Sequence, residues 1–290
     1  MRTLTLFTLW MLSLGCSGTG APIPAPEEGS RPPIAADAPL RIKVLSYNIH
    51  HGRGADGRID LPRIAAVIER SGADLVALQE VDRGTARSGW VDQAAVLAET
   101  LGYQYAFVTA IEYDGGQYGE ALLTRGPTQA RRGIPLRRRL PEEEDRAAIE
   151  VVADPWGRDS VRFIGTHLSH ESGTTRTEQV VALKTSLESD PIPAILAGDF
   201  NFVQGSTAYL LMIEGWLDTA RRFGSARDTY PSDRPDRRID YVFARPKERW
   251  RVLSVTVLDE RVASDHLPLL VELELLPVET GDPWGALDRS

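Results

Sequence analysis

From residue 40 onward the chain alternates short apolar runs with segments of helical period. Leu40 to Asn48 (LRIKVLSYN) reads as a buried strand. Asp60 is placed to N-cap a helix with Pro62 in its first turn, Leu61, Ile64, Ala65 and Ile68 on its apolar face, and Gly72 at its end. The continuous apolar run 74–79 (DLVALQ) suits a central strand covered on both faces. A second helix is predicted over 92–101, closed by Gly102, and further helices over 174–188 and 206–214. Strands are predicted at 105–109, 120–124, 147–153, 161–168, 193–198, 239–244, 250–258 and 267–275, with a turn at Pro155-Trp156-Gly157. The arginine-rich stretch 131–139 (RRGIPLRRR), followed by the acidic run Glu142 to Asp145, reads as a solvated loop. No internal repeat interrupts the pattern. It predicts one α/β domain over about 40–276, with a loose tail from 277 to 290.

The segment before that domain has a different character. Met1-Arg2-Thr3 is a short positive start, Leu4 to Leu14 is mostly apolar, and Gly15 directly precedes Cys16. The apolar run is too short for a membrane span but suits a signal peptide. Residues 1–16 therefore resemble a bacterial lipoprotein signal, in which Cys16 is acylated and becomes the mature N-terminus. Ser13 stands where that pattern prefers an aliphatic residue, and an ordinary secretory signal is the alternative. Residues 17–39 carry six prolines (Pro22, Pro24, Pro26, Pro32, Pro33 and Pro39) and read as a semi-extended tether. Ser17 rather than Asp after Cys16 points to the outer membrane over the inner.

Composition narrows the classes. With 42% hydrophobic and 26% charged residues over 290 positions, collagen-like, coiled-coil and wholly disordered chains are excluded. A net charge of −8, from 33 basic against 41 acidic residues, gives no global field for nonspecific binding to nucleic acid, although a local basic groove is compatible with it. Cys16 is the single cysteine, so neither an intramolecular disulfide nor a cysteine-based zinc site is expected.

Polar residues at the predicted strand ends carry the candidate chemistry: Asn48, Glu80, His167, Asp199, Asn201, Asp240, Asp265 and His266. Each would project from a sheet edge, where function concentrates. Singly, each has a plain explanation as a turn former, a helix cap or a satisfied histidine. Collectively they are harder to dismiss, because all five histidines (His50, His51, His167, His170 and His266) fall within or beside these termini. Carboxylates and asparagines are hard oxygen donors, suited to Mg²⁺, Mn²⁺ or Ca²⁺ rather than Zn²⁺. Histidines beside them supply acid–base or cationic function. Without a P-loop or a G-x-S-x-G elbow, nucleotide-powered transfer and serine hydrolysis lack support, and dinucleotide redox is likewise not expected. Metal-assisted attack of water on phosphorus fits the set.

The ordered series Ser46-Tyr47-Asn48, Gln79-Glu80-Val81, Thr166-His167-Leu168, Gly198-Asp199-Phe200-Asn201, Arg238-Ile239-Asp240-Tyr241 and Ser264-Asp265-His266 resembles the endonuclease/exonuclease/phosphatase superfamily across nearly all of residues 41–275. The resemblance implies a four-layer α/β sandwich, two mixed β-sheets packed face to face with helices outside. It also implies divalent-metal phosphoester hydrolysis without a covalent enzyme intermediate. Glu80 would be the principal metal ligand, with Asn48 beside it and Asp265 completing that side. Asp199 would orient or deprotonate the attacking water and Asn201 would hold the scissile phosphate. His266, fixed by Asp240, would stabilise the phosphorane-like transition state or act as base. His167 would face the leaving group. In the loop Tyr118-Gly119-Glu120, Glu120 replaces the asparagine of many relatives and, as in pancreatic-type deoxyribonucleases, would orient His167 and raise its pKa; a solvent-facing Glu120 is the bland alternative. Arg146 matches a phosphate-contacting arginine, or else pairs with the acidic run before it.

The superfamily's fold does not name a substrate. Residues 112–119 (EYDGGQYG), with Tyr47-Asn48-Ile49-His50-His51-Gly52, look most like a bacterial branch similar to the C-terminal domain of GPI-anchor lipid-remodelling proteins. The leading expectation is a monomeric, membrane-tethered lipoprotein of the bacterial cell envelope that hydrolyses lipid-linked phosphodiesters. A secreted or periplasmic nuclease and an inactive phosphate-binding module are the alternatives. Replacing Cys16 with Ser is expected to release the protein from isolated membranes, and unchanged retention in the membrane pellet would refute the anchor.

Overall fold

The computed structural model describes residues 39–277, apart from residues 158 and 189. Cys16, the tether up to residue 38 and the tail from 278 lie outside the described residues. The strands are β1 (Leu40–Asn48), β2 (Leu75–Arg83), β3 (Gln104–Tyr113), β4 (Gly116–Thr124), β5 (Thr128–Leu136), β6 (Arg146–Ala153), β7 (Val161–His167), β8 (Ala194–Asp199), β9 (Leu217–Asp218), β10 (Asp240–Arg245), β11 (Trp250–Val257) and β12 (Leu269–Leu275). The helices are α1 (Leu61–Ser71), α2 (Gln93–Leu101), α3 (Gly173–Leu187), α4 (Thr207–Ile213) and α5 (Thr219–Phe223). None is long and apolar enough to cross a membrane.

Local signals set the helix ends. The Asp60 carboxylate accepts from the Arg63 amide, and Gly72 closes α1 in the left-handed region at φ 61°. Asp92 accepts from the Ala95 amide at the start of α2, and Gly102 closes it at φ 70°. Ser172 accepts from the Thr175 amide to start α3. Each such cap stabilises by about 1 kcal/mol.

The strands form two six-stranded mixed sheets, ordered β11-β12-β1-β2-β4-β3 and β5-β6-β7-β8-β10-β9. At the centre of each lies one parallel pair, β1 with β2 and β7 with β8, linked through α1 and α3 respectively. Three apolar layers hold the assembly together. Ile42, Val44, Leu75, Leu122 and Val271 of one sheet pack against Ile149, Phe163, Ile195 and Val242 of the other. Ile64, Ile68 and Leu97 of α1 and α2 cover the outer face of the first sheet. Val180, Leu183, Tyr209 and Met212 of α3 and α4 cover the second. This is the four-layer sandwich that the motif series implies.

Of the stretch 131–139 expected to be a solvated loop, residues 131–136 belong instead to an edge strand, whereas 137–139 are irregular and exposed as expected. Residues 128–136 form β5, paired antiparallel with β6. Three of the five arginines in 131–139 meet carboxylates: Arg132 bonds Glu150 at 2.6 Å, Arg137 bonds Asp145 at 2.8 Å, and Arg139 meets Glu178 at 3.5 Å. Single-strand periodicity does not reveal this, because only one face of an edge strand is covered and its charges find partners far along the chain.

Phe163 is fully buried in the central layer, so Phe163→Ala is expected to cost about 3–5 kcal/mol of unfolding free energy. Val181→Ala, on the exposed side of α3, is expected to stay within about 0.5 kcal/mol. Denaturant titration of both variants checks the assignment of the central layer.

Candidate active site

Period-two alternation explains where the polar groups gather. On β1, Ile42 and Val44 face the opposite sheet, so Ser46 and Asn48 continue the same face. By the same count Gln79 follows Leu75 and Ala77 on β2, and Glu120 shares the face of Leu122 on β4. In the other sheet His167 follows Phe163, Asp199 follows Ile195 and Ala197, and Asp240 precedes Val242. The layer between the sheets is therefore apolar along most of its length and polar at one end, where the carboxyl ends of both parallel pairs meet.

Glu80 departs from this count. It lies where β2 slips against β4, between Leu78 paired with Ala121 and Val81 paired with Gly119, and its φ is 59°. Such a bulge re-aims a side chain, here towards Asn48, whose Nδ2 donates to Glu80 Oε1 at 3.0 Å. The same Nδ2 donates to Asp199 Oδ2 at 3.2 Å and lies 3.5 Å from His266 Nε2. Asn48 thus joins the two sheets.

His266 is held from two sides. Its Nδ1 donates to Asp240 Oδ2 at 3.0 Å, and Nε2 stands 3.6 Å from Asp199 Oδ2. Tyr230 packs on the ring with centroids 4.7 Å apart. Burial opposes a charged imidazole here, but Asp240 and then Asp199 outweigh it and push His266 up to about 10. Burial likewise raises Asp199, against the pull of His266.

On the other flank, Asn201 adopts a left-handed backbone at φ 50°, and its amide donates to Asp199 Oδ1 at 2.9 Å. Its side-chain Nδ2 donates to the Leu168 carbonyl at 3.0 Å and lies 3.0 Å from His167 Nε2. Arg146 donates to His167 Nδ1 at 3.4 Å and to His170 Nδ1 at 3.0 Å, and it pairs with Glu144 at 3.1 Å. An imidazole accepting through Nδ1 carries no proton there. Burial, reinforced by Arg146, accordingly holds His167 well below the usual histidine range.

The expected pairing of Glu120 with His167 is absent. Glu120 is fully buried, so it is not solvent-facing either, and neither of its oxygens meets hydrogen-bond geometry with a protein group. Arg146 occupies the position beside His167 that Glu120 was expected to fill. Burial pushes Glu120 well above the carboxylate range, opposed by Arg146 and reinforced by Glu80 and Asp199. Tyr118, buried next to it on β4, is also pushed up, chiefly by burial.

Asp265 stands apart from the Asp199–Asp240–His266 group. Its Oδ1 is 3.7 Å from His50 Nδ1 and 3.3 Å from Ser264 Oγ, whose hydroxyl donates to the Asn48 carbonyl at 2.7 Å. His50 and His51, to which the sequence assigned no role, share one cluster with Glu80, and Asp199, Asp240 and His266 form another. Glycines 52, 54 and 57 have the G-x-G-x-x-G spacing, yet α1 begins only at Leu61. The Ala55 amide donates to the Val262 carbonyl, and a Cβ on Gly54 would meet that oxygen at 2.5 Å, so this loop is packed rather than open to a dinucleotide.

Four carboxyl groups (Glu80, Glu120, Asp199 and Asp240) therefore converge in a low-dielectric end with Arg146 and His266 as counter-charges. Asp240 Oδ1 and both oxygens of Glu120 lack partners. This donor set fits a divalent cation bound through oxygen.

The comparisons agree. A family model described as the endonuclease/exonuclease/phosphatase family matches residues 45–266. The uncharacterized protein YbhP of Escherichia coli K12 is 26% identical over 81% of this chain and 96% of its own length. The crystal structure of an endonuclease/exonuclease/phosphatase from Beutenbergia cavernae is 28% identical, with a TM-score of 0.65 over 82% of this chain and 72% of that one. A mannosyl-6-phosphatase from Bacteroides thetaiotaomicron is 21% identical, with a TM-score of 0.68 over 80% and 99% of the two chains, a likeness of fold.

The raised pKa of His266 makes stability pH-dependent. Its contribution is complete below the ordinary value of 6.5 and is lost as the pH rises towards about 10. In EDTA, the melting-temperature advantage of the wild type over Asp240→Asn is expected to shrink steadily across that range. A difference that stays constant with pH would contradict the buried ion pair.

Proposed function

The chain belongs to the endonuclease/exonuclease/phosphatase family and is a phosphoric ester hydrolase; within that class, we propose that it depends on a divalent metal and cleaves lipid or lipid-headgroup phosphodiesters by direct attack of water on phosphorus. The observation that carries this reading is the convergence of Asn48 and Glu80 with Asp199, Asn201, His167 and the His266–Asp240 pair at one end of the inter-sheet layer.

Asp199 is the group that orients and deprotonates water. Burial lifts it towards the working range of a base, and the Asn201 amide and Asn48 side chain fix both its oxygens. His266, kept protonated by Asp240, places a positive charge where negative charge grows on phosphorus. Asn201 offers its amide to the scissile phosphate, and Arg146 with Tyr118 supplies the charge and the hydroxyl on the side of His167, which faces the leaving group. Glu80, Asn48 and Asp265 are the proposed metal ligands. These residues would hold Mg²⁺ or Mn²⁺, with Ca²⁺ as the alternative, which would supply Lewis acidity towards the phosphate.

Three features support a lipid-linked diester. Residues 1–16 read as a lipoprotein signal, the sequence around His50 and 112–119 resembles the lipid-remodelling branch, and the net charge of −8 disfavours avid binding to nucleic acid. By the same reasoning we place the protein as a monomer in the bacterial cell envelope, anchored to the outer membrane through Cys16.

The test incubates the full chain and Mg²⁺ or Mn²⁺ with bis-p-nitrophenyl phosphate, phospholipid vesicles, plasmid DNA and mannose 6-phosphate. Metal-dependent diester cleavage with preference for the vesicles is expected, and Glu80→Ala and His266→Ala should each lower it by about 100-fold or more. Plasmid nicking at lower enzyme concentration would establish the nuclease alternative, and faster release of phosphate from the sugar would establish a monoesterase. Absence of turnover on every substrate would support the binding module.

A further inference from the structure

The segment after β1 is built in an unusual way. His50, His51 and Gly52 all have positive φ, at 47°, 44° and 76°, and Glu80 across from them has φ 59°. Left-handed backbone is uncommon at non-glycine residues and persists where surrounding contacts impose it. Those contacts are present. The His50 amide donates to Asn48 Oδ1 at 3.0 Å, the Gly52 amide to the Ile49 carbonyl at 2.8 Å, and Gln93 Nε2 to the His51 carbonyl at 2.8 Å. Gln93 is itself fixed, accepting from the Asp82 amide at 2.9 Å.

The effect is to turn two consecutive side chains, which extended backbone would send to opposite faces, towards one carboxylate. Ligand atoms of His50, His51 and Glu80 all lie within 4.8 Å of one another, and the two rings meet edge to face with centroids 4.5 Å apart. His51 is only 7% exposed, and its Nδ1 has no hydrogen-bond partner. Asp265 stands next to His50 at 3.7 Å.

We propose that His50, His51 and Glu80 form a nitrogen-rich metal site that takes a divalent transition ion in preference to Mg²⁺. Two imidazoles and one carboxylate are borderline donors, and affinity at such sites rises from Mn²⁺ through Co²⁺ to Ni²⁺, whereas Mg²⁺ favours oxygen and retains its water. The assignment rests on the reading of Glu80 as a metal carboxylate and adds to it two residues outside the ligand set given above. It makes the metal-side composition a determinant of which ion this enzyme uses.

The test measures metal binding directly, without substrate. The full chain is stripped with chelator, and binding of Co²⁺, Mn²⁺ and Mg²⁺ is followed by calorimetry. Asparagine tolerates left-handed backbone better than other non-glycine residues, so His50→Asn and His51→Asn preserve the loop while removing the nitrogens. Wild type is expected to bind Co²⁺ at least about 30-fold tighter than Mg²⁺, and the double variant to lose at least about 10-fold of Co²⁺ affinity with Mg²⁺ within about 2-fold. Pulsed electron paramagnetic resonance of the Mn²⁺-loaded protein should show imidazole ¹⁴N coupling in the wild type that the double variant loses while His266→Ala retains it. Absence of that coupling, or parallel loss of Co²⁺ and Mg²⁺ binding in the double variant, would overturn the site. If ¹⁴N coupling is present but no phosphodiester is cleaved, the substrate reading fails and the metal assignment stands.

Discussion

Everything in this molecule depends on filling the space between two sheets. The inner faces of β1, β2, β4, β7, β8 and β10 can bury Ile, Val, Leu and Phe only where the opposite sheet supplies matching apolar surface. Towards one end that filling turns polar, strand by strand, through Asn48, Glu120, His167, Asp199 and Asp240. Because the same strands are locked by apolar packing further along, these side chains arrive at the site with little freedom left. Preorganisation is thus a by-product of the core, which is how rigid elements make good catalytic platforms.

Electrostatics sets the second constraint. Burying carboxylates together is costly unless each finds a proton, a cation or a donor. Each acid here meets that demand differently. Asp240 is compensated by His266, and Asp199 by the Asn201 amide, Asn48 and His266, while burial without a partner raises the pKa of Glu120. Glu80 is left facing Asn48 and the two histidines after β1, the side on which the proposed divalent ion would complete the balance. The acidic excess of the whole chain therefore has a local counterpart at the end where the proposed cation would sit.

The family resemblance and the geometry answer different questions. Six short motifs in order identify the fold and the hydrolytic class, since the chemistry needs those residue types at the ends of those strands. They leave the substrate open, because a fold does not by itself name the ester it serves. Discrimination among phosphoesters arises in loops outside the shared strands, where local sequence carries little positional information.

Legibility follows the range of the interaction. The sequence by itself determined the cap at Asp60, the closing glycines at 72 and 102, and most strand positions, because each depends on residues a few positions apart. It also supplied the list of polar strand ends. Tertiary structure alone decided the bulge that re-aims Glu80, the left-handed turn that gathers His50 and His51, and the edge strand β5. It likewise decided that Arg146, not Glu120, stands against His167. These features depend on strand register and on partners from distant parts of the chain, and a one-residue slip in register sends every following side chain to the other face.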